Sequence, residues 1–355
     1  MPNYDYHFFR EISEQSALWN SISTRASEFQ LALGRFQHIE PSLIQVTGRG
    51  SSAHAARVVA SFAERMFGVP SRFFPIEDGA FEENQSSHAK LLRYPTNISF
   101  LFSQSGQSPD LLKAAAQLQA ISDLSVGITN SSNSPLVSLV DVHLELGATQ
   151  ELAVAATKTF SGSVLVGLLA AAELVGKQEV FLSQLRSAIS DVKHWVDVAM
   201  NIPEKLIDDL VETKRAILIT PAKNIPFAQE AALKLSENAG ITAIALSPSD
   251  ALHGPVAQIS DEVTILVLGS TDDAYQCGLF LERAEGMTRR GWKISTNGFE
   301  RSQPKPFAIA RANFDQILVG LLELVPMQWL SGEVALRLGL NPDSPRALSK
   351  QTLTH

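Results

Sequence analysis

The sequence predicts an α/β protein with two pseudo-duplicated lobes, each a mostly parallel sheet flanked by helices in an αβα sandwich. Three observations lead to this prediction. The chain of 355 residues is longer than most single domains. Short apolar runs alternate with longer helical patterns, which is typical of βαβ units. The same alternation occurs twice, on either side of a helical stretch at about 178–213.

The strands are predicted from short apolar runs that end in loops of small or polar residues. Those of the first half lie at 43–47, 98–102 and 124–128. Those of the second half lie at 216–220, 242–246, 263–269 and 292–296. A helix is predicted at about 226–239, because Gly240 suits the left-handed position that follows a helix end. We expect an N-terminal helical segment at 1–40, a first domain at 41–195, a second domain at 196–340 and a C-terminal tail at 341–355.

Composition and charge exclude several function classes. The chain is 45% hydrophobic and 19% charged, as in a packed globular enzyme. Its formal net charge is −8 and no dense run of lysine and arginine occurs, so we expect no nucleic-acid partner. The first ten residues lack an apolar signal region, and the apolar stretch at about 152–175 carries Lys158 and Glu173. With one cysteine, Cys277, and no membrane segment, we expect a cytoplasmic protein.

The loop at 103–108 has the composition of an anion site. It reads Ser103-Gln104-Ser105-Gly106-Gln107-Ser108 and follows a predicted strand. Ligands of doubly wound sheets lie beyond the carboxyl ends of the strands. The hydroxyls and the amide can donate to phosphate oxygens, and Gly106 allows close approach of the backbone. Ser108 followed by proline is a favourable helix start, whose positive end would face the phosphate.

The same serines could instead cap a helix and fill a turn, and for a single loop that is the better interpretation. Further hydroxyl-rich loops at 50–52, 129–132 and 270–271 favour anion binding. The two loops of the first half that follow its strands directly are the stronger pair. No Gly-Lys-Ser/Thr motif of the Walker type and no dinucleotide glycine fingerprint occurs, so nucleotide hydrolysis is not expected.

A lysine and two glutamates share one face of the helix predicted at 226–239. Glu230, Lys234 and Glu237 stand at i, i+4 and i+7, whereas three alanines and Leu235 form the opposite, packed side. From spacing alone, the favoured interpretation is a solvated face with one ion pair. An acid–base role is the alternative, and the residues that accompany this helix in sequence favour it.

Two histidines are candidates for acid–base chemistry. His253 precedes Gly254-Pro255 in a loop beyond a predicted strand, where it can meet a ligand. His54 competes with it, although packing within a helix suits His54 better. No set of His, Cys, Asp and Glu has metal-ligand spacing, and no Gly-x-Ser-x-Gly elbow is present. We therefore expect no metal, no cofactor and no Ser-His-Asp triad.

Five motifs follow one another along the chain. They are Ser103-Gln104-Ser105-Gly106, Ala156-Thr157-Lys158, Ala232-Leu233-Lys234-Leu235-Ser236-Glu237, His253-Gly254-Pro255 and Pro345-Arg346-Ala347-Leu348-Ser349-Lys350. In this order they resemble the sugar-isomerase (SIS) domain family, in particular the isomerase half of glucosamine–fructose-6-phosphate aminotransferase. The resemblance covers about residues 30–355. It is specific for the family and not for one substrate, and it implies two SIS lobes.

The resemblance implies a role for each matching residue. Glu237 would carry a proton between C1 and C2 of the sugar, with Lys234 beside it. His253 would open the sugar ring, and in the family this histidine comes from the neighbouring subunit of a dimer. Lys350 would reach the open-chain sugar near its carbonyl end. The residues implied to bind the phosphate and the sugar are Ser51, Ser103, Gln104, Ser105, Ser108, Val154 and Ser349.

The chain departs from the aminotransferase pattern in several places. It shows no glutaminase segment with a cysteine nucleophile, and Cys277 falls within a helical pattern and cannot substitute, so we expect no transfer of ammonia from glutamine. Ala156 and Gly50 stand where that enzyme has serine and threonine, and Leu252 precedes the histidine where it has lysine. Contacts near the sugar are therefore expected to differ.

The resemblance to stand-alone SIS-type glucosamine-6-phosphate deaminases provides the leading functional hypothesis. Glucosamine 6-phosphate and water would give fructose 6-phosphate and ammonia. The alternatives are an aldose–ketose 6-phosphosugar isomerase and a deglycase that cleaves a sugar–amine adduct. A non-catalytic sugar-phosphate sensor is more distant, because the first 40 residues are too few and not basic enough for a helix-turn-helix domain. The implied partners are a hexose 6-phosphate and a second copy of the chain, in a homodimer with a shared active site.

Overall fold

The computed structural model describes residues 5–36, 39–76, 95–269, 274–295, 298–301 and 316–350. These residues form two compact units. The first-sheet unit comprises residues 17–151 and 158–186, and the second-sheet unit comprises residues 5–16, 152–157 and 187–350. The start of the chain and the short segment 152–157 therefore belong to the unit whose sheet is built from the second half of the sequence.

The strands lie close to the apolar runs that predicted them. Those of the first sheet are β1 (Leu43–Gly48), β2 (Ser71–Phe73), β3 (Asn97–Phe102), β4 (Leu124–Thr129) and β5 (Val142–Glu145). Those of the second sheet are β6 (Arg215–Ile219), β7 (Thr242–Leu246), β8 (Thr264–Leu268), β9 (Gly291–Ser295) and β10 (Gly298–Arg301). The strands β1, β3, β4 and β8 are buried along their whole length, as expected for a parallel sheet covered by helices on both faces.

The helices alternate with these strands. The chain begins with α1 (His7–Ser13), α2 (Gln15–Thr24) and α3 (Ala26–Leu33), and continues with α4 (Gly50–Phe62), α5 (Pro109–Ile121) and α6 (Lys158–Leu174). Then follow α7 (Gln178–Ala199), α8 (Glu204–Thr213), α9 (Ile225–Ala239), α10 (Pro248–Leu252), α11 (Ala274–Ala284) and α12 (Gln316–Arg337). The predicted end of α9 is confirmed, because Gly240 has a φ of 65°.

The two sheets share one strand order. The first runs β2-β1-β3-β4-β5, and the second, taken from its β7 edge, runs β7-β6-β8-β9-β10. All neighbours are parallel except β9 and β10, which form an antiparallel pair. The repeated order confirms the predicted pair of similar lobes. It also creates a switch point in each sheet, between β1 and β3 and between β6 and β8, where connections leave in opposite directions.

The apolar stretch at about 152–175 contains α6, a helix buried over its entire length. Gly167 explains how it fits, because a Cβ at this position would lie 2.8 Å from Val59 and 2.9 Å from Phe102. Trp19 Nε1 donates to Ser161 Oγ at 3.0 Å on the same helix. None of the helices in the described ranges has the apolar length that crossing a bilayer requires.

Candidate functional site

The predicted phosphate loop lies at the switch point of the first sheet. Gly48 at the end of β1 pairs with Phe102 at the end of β3, so the loops that follow these two strands are neighbours. The guanidinium of Arg49 joins them, because its Nε lies 2.5 Å from Oδ2 of Asp110 in the first turn of α5. The hydroxyl-rich loops at 50–52 and 103–108 are thus held together.

Hydrogen bonds within the loop 103–108 set its shape. Ser103 is buried, and its Oγ accepts from the backbone N–H of Gly106 at 2.9 Å. Gly106 has a φ of 64°, and a Cβ there would lie 2.2 Å from Oγ of Ser134. Ser105 and Gln104 remain half-buried. Ser103 therefore shapes the turn, while Ser105 and Gln104 are the side chains that can meet a ligand.

Two helices begin at these loops without a side-chain cap. Ser108 is the N-cap of α5, with Pro109 after it as predicted, but its hydroxyl makes no capping hydrogen bond. The N-cap of α4, Arg49, makes none either. The first N–H groups of a helix carry a partial positive charge and need acceptors. Ser51, in the first turn of α4, is half-buried beside them.

The loop at 129–132 serves its own packing. Thr129 Oγ1 donates to the carbonyl of Ser131 at 2.9 Å and lies 2.8 Å from His143 Nε2. Asn130 Nδ2 donates to the carbonyl of Ala148 at 3.0 Å, and Asn130 Oδ1 accepts from the N–H of Ala148 at 2.9 Å. This loop therefore adds little to the argument for an anion site. The hydroxyls at 270–271 lie outside the described residues.

The polar face of α9 is buried, so the interpretation as a solvated face is wrong. Lys234 and Glu230 are both 0% exposed, and Glu237 is 23% exposed. Lys234 Nζ lies 3.3 Å from Oε1 of Glu230 and 2.5 Å from Oε2 of Glu237. The alternation of polar and apolar positions could not reveal this burial, because it depends on the packing of α9 against α12 and the sheet.

The charge of Lys234 is decided by two opposing effects. Burial by itself disfavours the ammonium, but the negative charges of Glu230 and Glu237, with their hydrogen bonds, outweigh burial and raise the pKa of Lys234. The lysine is therefore a fixed cation at neutral pH. Glu237 is the member of this cluster that is partly open to solvent.

A chain of buried polar side chains extends from α9 to α12 and was missed by sequence reasoning. Asn238 Nδ2 donates to Oγ of Ser331 at 2.9 Å, and that hydroxyl donates to the carbonyl of Gln328 at 2.6 Å. The side chain of Gln15 then donates to Oε1 of Gln328 at 2.9 Å. The available signal was the presence of amides and a serine at helical spacing within otherwise apolar helices.

His253 follows the short helix α10 and is exposed. Its Nδ1 lies 2.7 Å from the carbonyl oxygen of Ser249. Because a carbonyl only accepts, Nδ1 carries the proton in this contact. Gly254, with a φ of 141°, turns the chain immediately after it. In the described part of the chain, no hydrogen bond or ion pair joins His253 to Glu237.

The C-terminal tail meets the segment 152–154. Lys350 Nζ donates to the carbonyl of Ala153 at 2.6 Å, and the N–H of Val154 donates to the carbonyl of Asp343 at 3.0 Å. The structure thus brings together Lys350 and Val154, which the sequence associated only through the resemblance. Ser349 is exposed.

Cys277 is not a nucleophile in this structure. It lies in α11 and is buried. Burial, with the negative charge of Glu323 as a smaller cause, raises the pKa of the Cys277 thiol to about 12. Among the described residues, no group of three or more His, Cys, Asp or Glu side chains could hold a metal ion.

The two sheets of one strand order and their flanking helices define an α/β protein with two similar lobes. Residues 39–172 match the family model of the SIS domain. Over these residues the match bears out the resemblance that the sequence motifs indicated.

Comparison with known proteins extends this likeness over almost the whole chain. A glutamine–fructose-6-phosphate aminotransferase of Pyrococcus horikoshii is 28% identical over 357 residues, which are 98% of this chain and 57% of that protein. The chain thus spans somewhat more than half the length of such relatives.

Solved structures share the fold. The C-terminal domain of glucosamine-fructose-6-phosphate aminotransferase from Francisella tularensis has a TM-score of 0.79 at 20% identity, covering 97% of this chain and 99% of that chain. The glucosamine-6-phosphate deaminase of Thermotoga maritima has a TM-score of 0.75 at 22% identity, covering 98% and 100%. The tagatose-6-phosphate ketose/aldose isomerase of Escherichia coli has a TM-score of 0.78 at 18% identity, covering 100% and 98%.

Proposed function

We propose that this protein moves a proton between C1 and C2 of a hexose 6-phosphate and acts as a glucosamine-6-phosphate deaminase. The observation that carries the proposal is the cluster on α9. Glu237 is a partly exposed carboxylate 2.5 Å from a fully buried ammonium, that of Lys234. Such a pair combines a base that can reach a substrate with a fixed positive charge that can stabilise a developing anion.

The loops of the first sheet support a phosphorylated substrate. Two helix N-termini without side-chain caps begin next to Ser51 and Ser108, and the half-buried Ser105 and Gln104 stand beside them. N–H groups and hydroxyls in this arrangement bind phosphate without a lysine. A phosphate held far from the reacting carbons would orient the sugar and turn remote binding energy into rate.

The proposed reaction balances without a cofactor. His253 transfers the proton of the O1 hydroxyl to the ring oxygen, which opens the sugar to its aldehyde. Glu237 takes the proton from C2 to form an enolamine and returns it to C1, which leaves an imine at C2. Water adds to the imine and ammonia leaves, so that glucosamine 6-phosphate and water become fructose 6-phosphate and ammonia. Lys234 and Lys350 offset negative charge at O1.

The rate enhancements expected from these residues are those of ordinary acid–base catalysis. A positioned general base contributes about 10²- to 10⁴-fold to the rate. A preorganised donor to a developing oxyanion contributes about 3–4 kcal/mol. Glu237→Gln keeps the shape of the side chain and removes the base, so turnover is expected to fall by at least about 10²-fold while sugar-phosphate binding persists.

The test is a coupled assay that measures ammonia and fructose 6-phosphate formed from glucosamine 6-phosphate. The wild type should form both in equal amounts, and Glu237→Gln should form them at least about 10²-fold more slowly. Glu179→Gln, an exposed position on α7, should match the wild type. Wild-type turnover by Glu237→Gln would remove Glu237 from the mechanism. Interconversion of aldose and ketose 6-phosphates without ammonia would assign the isomerase alternative instead.

We also propose that the active protein is a homodimer in which His253 serves the partner's site. His253 is exposed, and the edge strand β7 leaves Ile244 39% exposed. Mixing Glu237→Gln with His253→Asn subunits should restore about a quarter of wild-type activity, because half of the dimers are mixed and each holds one intact site. No restoration in a preparation shown to exchange subunits would place both residues in one subunit's site.

A further inference from the structure

The buried carboxylate of Glu11, on the N-terminal helix, binds the segment 152–154. The two carboxylate oxygens of Glu11, on α1, accept from the N–H groups of Leu152 at 2.5 Å and Ala153 at 3.2 Å. Glu11 is only 3% exposed. A buried charge is costly unless hydrogen bonds satisfy it, and hydrogen bonds to a charged acceptor are the strong ones. Glu11 therefore fixes the plane of these peptide groups.

A second carboxylate, that of Asp343 in the C-terminal tail, binds the start of α1. The side chain of Asp343 accepts from the N–H groups of His7 at 3.0 Å and Phe8 at 2.7 Å, which begin α1. Its backbone carbonyl accepts from the N–H of Val154 at 3.0 Å. Asp343 therefore ties the start of α1 to the tail and holds Val154 at the same time.

These contacts converge on the peptide groups of Ala153. Its N–H is held by Glu11, and its carbonyl oxygen receives Lys350 Nζ at 2.6 Å. The orientation of that carbonyl follows from the bonds on the neighbouring N–H groups, because each peptide unit is planar and rigid. The position of the lysine is thus coupled to a glutamate far away in sequence.

We infer that Glu11 and Asp343 are positioning residues that hold the Ala153 carbonyl as the docking point of Lys350. The inference rests on the proposed function where it assigns Lys350 to the substrate, and it adds the residues through which the N-terminal helix controls that lysine. Neither carboxylate is required to touch the sugar.

The first test measures the docking of Lys350 without any substrate. Trypsin cleaves after lysine and arginine, and a docked Lys350 side chain cannot enter its pocket, whereas Arg346 is exposed. Mass spectrometry of the folded protein gives the initial rate of cleavage after Lys350 relative to that after Arg346. Glu11→Gln should raise this ratio about tenfold, the expected effect of weakening a charge-assisted hydrogen bond. Glu14→Gln, an exposed position at the end of α1, should leave it unchanged.

Asp343→Asn provides an independent variant should Glu11→Gln fail to fold, and it should raise the same ratio. An unchanged ratio in the folded variants would overturn the inference. This readout does not depend on turnover, so it decides the docking even if glucosamine 6-phosphate is not the substrate.

The second test separates positioning from a general loss of stability. Glu11→Gln should lower kcat about tenfold in the wild type but less than about twofold in Lys350→Ala, because it acts through the lysine. Equal losses in both backgrounds would show that Glu11 acts elsewhere and would overturn the inference, while leaving the deaminase proposal intact. Absence of turnover in the wild type would refute the deaminase proposal alone.

Discussion

Lys234 Nζ lies 2.5 Å from Oε2 of Glu237, and the two partners differ in their access to solvent: the lysine is fully buried and the glutamate is 23% exposed. The second carboxylate, that of Glu230, is as buried as the lysine. The lysine is therefore anchored from the interior by one glutamate and presents its charge to the other. This asymmetry leaves Glu237 as the carboxylate that solvent or a ligand can reach.

Removal of the buried cation should be strongly destabilising. Lys234→Met leaves two carboxylates without the countercharge that stands between them, and breaking a buried ion pair in this way costs about 3–5 kcal/mol. Lys293→Met, which breaks the more exposed pair with Glu300, should cost less than about 1 kcal/mol. Urea denaturation measures both free energies of unfolding. Equal losses of unfolding free energy in the two variants would contradict the prediction, because burial of the cluster would then add nothing to the cost of removing the cation.

A substitution in the loop 103–108 is expected to weaken binding of the sugar phosphate. Ser105→Ala removes a half-buried hydroxyl that can donate to phosphate, so KM for the sugar phosphate should rise about tenfold with kcat nearly unchanged. Ser138→Ala removes an exposed hydroxyl that bonds its own turn and should change neither constant. The assignment of the loop fails if KM of Ser105→Ala equals that of the wild type.

Gly106 is expected to be irreplaceable. Alanine at this position would adopt a φ of 64° and place its Cβ 2.2 Å from Ser134 Oγ. The left-handed conformation alone costs about 1–2 kcal/mol. Gly34→Ala is the matched control, because Gly34 has a helical φ of −56° and no neighbouring atom lies within 4 Å of the position that a Cβ would take. Thermal unfolding should show a loss for Gly106→Ala and none for Gly34→Ala, and equal shifts would contradict the prediction.

His143 should make stability depend on pH. Burial lowers the pKa of His143 despite the negative charge of Glu145, so the folded state favours the neutral ring. The unfolded chain, with a histidine pKa of about 6.5, therefore binds more protons as the pH falls. The stability contributed by the neutral ring is present above about pH 6.5 and is lost as the pH decreases towards the lowered pKa.

The free energy of unfolding at pH 7.5 and 5.5 measures this effect of His143. The difference between the two values should be smaller in His143→Gln, whose side chain does not titrate. Identical pH dependence in the two proteins would show that His143 titrates in the same way in the folded and unfolded states.

Cys277 should report global unfolding. It is the one cysteine of the sequence, and burial raises the pKa of its thiol to about 12. At pH 8 the thiolate fraction is about a thousandfold below that of an ordinary thiol, before steric protection is counted. A disulfide reagent should therefore label the native protein only as fast as it unfolds. Rapid labelling with unchanged circular dichroism would show that α11 opens locally.

Sequence reasoning succeeded where local pattern and global packing agree. The strands β1, β3, β4, β6, β7, β8 and β9 followed from short apolar runs. Such runs are expected where both faces of a strand are covered, as in β1, β3, β4 and β8. It missed the short strands β2, β5 and β10. β2 has only three residues, and β10 is defined by its antiparallel pairing with β9, which no pattern within its own four residues announces.

Chain order alone determined the fold class, the duplicated βαβ rhythm and the resemblance to the SIS domain family, because hydrophobic periodicity and loop motifs are properties of neighbouring residues. The burial of Lys234 and the hydrogen bonds of Glu11 and Asp343 to the segment 152–154 were decided only in three dimensions. Each depends on partners distant in sequence or on the covering of a helix face. A side chain's environment, unlike its position along a helix or strand, is set by what packs against it.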